Sequence, residues 1–137
     1  MLSCNELESH LDALSIKYKL LEPKYIKNKS KSIGYKFHHN LTIFIKQTMS
    51  NKDDKFRHSG RLVIHPLLLI EIEKLRDLKD VHIRRFHTQS SSYKFGDFPV
   101  FMWSNQPNEE PYGTALDFED SDAFKKFFEI LQSKFDL

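Results

Sequence analysis

The sequence predicts an α+β fold: a single domain, residues 1–137, with a largely antiparallel sheet of about five to seven strands and three helices, N-terminal, central and C-terminal. Three observations lead to it. Apolar residues recur at helical spacing in three separate segments. Between them lie stretches that alternate apolar and polar residues and are joined by short polar turns. The chain has 137 residues, 39% of them hydrophobic and twelve of them Phe, which is enough for one core. Hairpin-linked strands imply antiparallel pairing, with the helices packed on one face.

Taken in order, Ser3-Cys4-Asn5-Glu6 has the form of a capping box, and Leu7, Leu11 and Leu14 predict a helix near 4–15. Residues 16–22 (IKYKLLE) read as a short strand stopped by Pro23, and KYIKNKSKS as a basic loop or sheet edge. GYKFHH and LTIFIK form the arms of a hairpin turned at Asn40. In the second arm Leu41, Ile43 and Ile45 share one face, Thr42, Phe44 and Lys46 the other. SNKDDKFRHSG is an expected exposed loop and RLVIH a strand. Pro66 opens the central helix, whose buried stripe is Leu68, Ile72, Leu75 and Leu78.

VHIRRFH and VFMWS read as two further strands around the polar loop 88–99, followed by a turn cluster, QPNEEP. In GTALDFE, Leu116 and Phe118 are expected inward, Asp117 and Glu119 outward. Asp120 or Ser121 caps the last helix, and Phe124, Phe127, Phe128, Leu131 and Phe135 give it the strongest apolar period in the chain.

The net charge of +2 hides an asymmetry. Residues 16–65 carry twelve Lys/Arg against three Asp/Glu, a balance of +9, whereas residues 97–137 carry three against nine, a balance of −6. If the fold keeps these segments apart, the molecule has two electrostatically distinct surfaces; if it packs them together, they neutralise each other. No run approaches the length of a membrane span, and the first residues have neither a basic leader nor an apolar core, so a cytoplasmic location is the expectation. One cysteine, Cys4, forms no internal disulfide.

Candidate sites divide by chemistry. His82, Arg84, Arg85 and His87 hold the residue types of a metal-independent ribonuclease, two proton-transfer groups and a phosphate clamp; a charged edge strand accounts for the same run. Lys24, Lys27, Lys29, Lys31 and Lys36, interleaved with Tyr25 and Tyr35, could track phosphates and stack on bases. Asp117, Glu119, Asp120 and Asp122 form an acidic group that would suit a basic partner, or that simply favours a helix N-terminus. Tyr93, Phe95 and Trp103, near the two arginines, have the composition of a protein-binding hot spot. Adjacent His38 and His39 point to opposite strand faces and do not chelate one metal, and no cofactor motif is present. The leading expectation is a non-enzymatic module that binds and neutralises a partner protein, of the immunity or antitoxin type, against a basic nuclease toxin in its concrete form. The competing one is a nucleic-acid-binding protein with ribonuclease chemistry.

Overall fold

The computed structural model describes residues 1–21, 24–26, 30–37, 41–47, 59–84 and 114–137. The elements run α1 (Cys4–Ala13), β1 (Lys19–Leu20), β2 (Lys24–Ile26), β3 (Ser30–Lys36), β4 (Thr42–Gln47), β5 (Gly60–Ile64), α2 (Pro66–Glu71), α3 (Glu73–Arg76), β6 (Val81–Arg84), β7 (Thr114–Phe118) and α4 (Ser121–Phe135). Among the described residues all strand pairs are antiparallel, and the sheet order is β1-β3-β4-β5-β7-β6, with β2 also paired to β3. The α+β class therefore holds.

The predicted capping box is formed: Ser3 Oγ accepts from the Glu6 amide, and Glu6 Oε1 accepts from the Ser3 amide. At the other end Asp120 caps α4, its carboxylate accepting from the Ala123 amide at 2.8 Å. The basic segment forms part of the sheet rather than a loop: β1 and β2 lie along β3, Lys19 opposite Lys36 and Tyr25 opposite Lys31. The central helix is two short ones, not one. Ile72 leaves helical angles at φ −114°, ψ 84° and starts α3 without a side-chain cap. Two β-branched residues, Ile70 and Ile72, crowd this short stretch and disfavour a continuous helix. The expected strand VFMWS, the loop 88–99, the turn at Asn40 and the QPNEEP cluster lie outside the described residues.

One face of the sheet carries the helices. Leu7 and Leu11 of α1, Leu68, Leu69 and Leu75 of the central pair, and Phe124, Phe127, Phe128 and Leu131 of α4 bury against Ile43, Ile45, Leu62, Ile64, Leu116 and Phe118. Phe118 meets Phe124 and Phe127 edge-on, at centroid distances of 5.5 and 5.3 Å. Two glycines permit close approaches here and on the far face. A methyl group at Gly60 would stand 2.6 Å from the Cys4 backbone nitrogen, so α1 can start directly above β5 only over a glycine. At Gly34 the same group would meet Phe44 Cε1 at 2.7 Å and Leu21 Cδ1 at 2.8 Å, side chains that close over the strand.

The opposite face is buried in part as well. Phe44, Val63 and Ala115 form a second apolar cluster, with Leu21 packed at its margin. Beside that cluster lies a row of charge.

Candidate functional site

Strand register assembles the row. Lys46 of β4 stands opposite Arg61 of β5, and His82 of β6 opposite Asp117 of β7, while Arg61 Nε lies 3.7 Å from Asp117 Oδ1 across the β5–β7 pair. Ser59 adds its hydroxyl, which donates to Asp117 Oδ1 at 3.2 Å. Asp117 is 0% exposed and Lys46 6%. Alternation explains the placement. In β4 and β5, Ile45 and Leu62 point to the helices, which sends Lys46 and Arg61 to the other side.

The row's electrostatics are those of buried ions. Burial, and behind it the Arg61 guanidinium, pull the Lys46 ammonium down to about 8. Taking an ion pair out of water costs several kcal/mol per ion, recovered only by close partners, and Arg61 and Ser59 are among those of Asp117. At the row's end His82 Nε2 lies 2.9 Å from Glu119 Oε1, both half-exposed.

Asp117 therefore departs from its expected outward position. It does alternate away from Leu116 and Phe118, but the face it reaches is buried. The charges of Asp117 and Glu119 suggest a solvent face, whereas apolar Phe44 and Val63 on the same side signal that it is covered. The other acids separate: Glu119 meets His82, Asp120 caps α4, and Asp122 is exposed in the first turn of α4. Lys46, Arg61 and Ser59 went unrecognised as site residues, each reading as an ordinary strand or loop position.

The other candidates are placed as follows. Arg84 ends β6 in register with Ala115. Arg85, His87, Tyr93, Phe95, Trp103, Lys27 and Lys29 lie outside the described residues. Lys24, Tyr25 and Lys31 fall on the β2–β3 pair, and Lys36 is exposed at the end of β3. Tyr35 is 4% exposed, with Tyr18 packed edge-on at 5.1 Å, and the Tyr18 hydroxyl donates to Asp12 at 2.7 Å. A further contact no sequence pattern announces joins the first and last helices: His10 Nε2 lies 2.8 Å from Ser121 Oγ, and its ring packs on Phe124. Among the described residues, no three His, Cys, Asp or Glu side chains gather to share a metal ion, and no helix is long and apolar enough to cross a membrane. The Cys4 thiol is pushed up to about 11, first by burial and then by Glu8, which keeps it protonated and unreactive at neutral pH.

Comparison with protein-family models, curated proteins and solved structures finds no match.

The strand order bears directly on the charge asymmetry. The lysine-rich first part of the basic segment occupies β1, β2 and β3 at one end of the sheet, whereas its remainder forms β4 and β5, and β5 pairs directly with β7 of the acidic segment, where Arg61 meets Asp117. Four strand spacings separate β1 from β7, about 19 Å at the usual interstrand distance. That exceeds two screening lengths of about 8 Å at physiological salt. The lysines of β1 and β3 thus lie beyond the reach of the acids of β7, while Arg61 of the same segment is paired with Asp117. Within the basic end, Lys17, Lys19 and Lys36 are all exposed.

Proposed function

We propose that this chain is a protein-binding module that neutralises a partner protein, in the manner of an immunity protein or antitoxin, by charge-steered surface complementarity. The observation that carries the reading is the strand order, which holds the lysine-rich edge and the acid-rich end apart. Separated fields of this kind raise the rate of encounter with a charged partner and reject wrongly charged ones. Of the two ends, the basic one is the better contact. Asp117 is buried, Glu119 is committed to His82 and Asp120 to its cap, whereas Lys17, Lys19 and Lys36 point to solvent. The partner surface that meets this edge is accordingly acidic, in place of the basic nuclease that the acidic group alone would suggest.

The same edge would attract nucleic acid through its phosphates. Recognition of unpaired bases, however, needs open aromatic faces. Tyr35 is buried and Tyr18 is packed on it, which favours a protein partner.

The test is native mass spectrometry of the protein isolated gently from its own cells, alongside a variant with Lys17, Lys19 and Lys36 replaced by Glu. A stoichiometric protein held by the parent and lost by the variant, and whose own activity returns on release, is the expected result. Co-isolated RNA or DNA that leaves as salt rises, with no protein, would overturn the reading.

A further inference from the structure

The end strand of the sheet suggests how such a partner is held. β1 closes the strand order on the basic side, and both of its residues, Lys19 and Leu20, are exposed. Leu20 is 57% exposed, more than Ile70, the other exposed large hydrophobic among the described residues. The Leu21 amide donates to the Gly34 carbonyl at 2.9 Å, and backbone groups alternate in direction along a strand. The amide and carbonyl of Leu20 therefore face away from β3, along an edge to which no described residue pairs. An edge of this kind is a template for another strand. Lysines alone would guard it; an exposed leucine set among them does not.

Charge indicates what sort of strand fits. Lys19 and Lys36 stand directly opposite each other and are both exposed, an arrangement that repels and costs stability. Carboxylates beside that pair would relieve the repulsion, while an aliphatic side chain covered Leu20. Resting on the reading that the chain binds a protein, we propose that the outer edge of β1 takes up an extended, acid-bearing segment of the partner as an added strand. Leu20 supplies the backbone hydrogen bonds and the apolar contact, and Lys17, Lys19 and Lys36 meet the carboxylates. Main-chain bonds give such complexes their affinity and alternate side chains their specificity.

The probe is a blocked hexapeptide alternating glutamate and valine, titrated into the isotope-labelled full-length chain and followed by amide NMR. A lysine–valine peptide and an oligouridylate serve as controls. The Leu20 amide is expected to shift strongly with the acidic peptide, and its hydrogen exchange to slow at least tenfold. Leu20→Pro removes the outward amide and leaves the Leu21–Gly34 bond in place, so it should weaken binding at least tenfold in a folded chain. Should that variant not fold, Lys19→Glu with Lys36→Glu decides, by shifting preference to the lysine peptide.

Equal binding by folded Leu20→Pro, or peptide shifts confined to other parts of the molecule, would overturn strand addition. So would oligouridylate binding that moves the lysine signals while no peptide slows Leu20 exchange. The two proposals fail separately. A protein partner captured equally well by both edge variants removes strand addition and leaves the neutralising role. Peptide addition at Leu20, in a chain that no cellular protein accompanies, removes the neutralising role and leaves the edge.

Discussion

Lys46 and Arg61, two cations, stand directly opposite each other across β4 and β5 on the buried side of the sheet. Cross-strand like charges repel, and here the repulsion is strengthened by burial. What stabilises the pair's neighbourhood is Asp117, which reaches Arg61 from the next strand.

Removing that carboxylate should be costly. Asp117→Ala is expected to lower unfolding free energy by about 3–5 kcal/mol, since a buried pair loses one partner and the other charge stays. Arg61→Met in the same chain should recover part of the loss. Urea denaturation of the two single variants and the double variant measures the coupling, and strict additivity would show that the two charges do not interact.

Stability should depend on pH through two groups of opposite sign. Lys46 falls from 10.5 to about 8 on folding, so the unfolded chain holds more protons between those values. Its contribution is present above 10.5 and is lost as pH falls through about 8, a span of about 3 kcal/mol. Cys4 rises from 9.0 to about 11, so its contribution is present below 9 and is lost as pH rises toward 11. Lys46→Met should therefore flatten a rise in stability above pH 8, and Cys4→Ala should remove the part of a fall that begins near pH 9, leaving the later part above pH 10 that the Tyr35 phenol, pushed up by burial, contributes. Denaturation midpoints at half-unit steps from pH 7 to 11 separate the two.

Gly60→Ala should cost more than Gly34→Ala. At Gly60 the new methyl meets Cys4 and Ser3 backbone, which is fixed by the capping box of α1. At Gly34 it meets side-chain atoms only, the ring edge of Phe44 and the Cδ1 and Cβ of Leu21, which give way more easily than backbone. Overpacking costs about 1–3 kcal/mol, and the two variants should lie near opposite ends of that range. Equal melting temperatures would contradict the packing argument.

Asp120→Ala should destabilise by about 1 kcal/mol through loss of the α4 cap, whereas Asp122→Asn should do far less. Thermal melts of both distinguish a structural acid from one that serves only the surface.

Local patterns carried most of the fold. The phenylalanine period of α4, the capping box at Ser3 and the alternation in β4 and β7 depend on near neighbours, so they were legible. The row Lys46–Arg61–Asp117 was not, because it depends on which strands lie side by side and in what register. Nothing in the residues around Arg61 tells that β7, far along the chain, will pair with β5. The same holds for His10 and Ser121. The acids near 117–122 looked alike as a group, yet burial, capping and pairing gave each a different environment.

The Leu2 amide donates to the Phe118 carbonyl, and the Leu2 carbonyl accepts from the Gly60 amide, each at 2.8 Å. Residue 2 thus sits as a stitch between the start of β5 and the end of β7. Closing its Phe118 side encloses a loop on the order of 100 residues, a long-range contact whose ordering cost is met only when both ends of the chain are present. During synthesis at about 5–20 residues per second, that stitch must wait on the order of ten seconds for β7 to leave the ribosome. Until then the edge of β5 that β7 will pair lacks its partner, although α1 can already lie over β4 and β5.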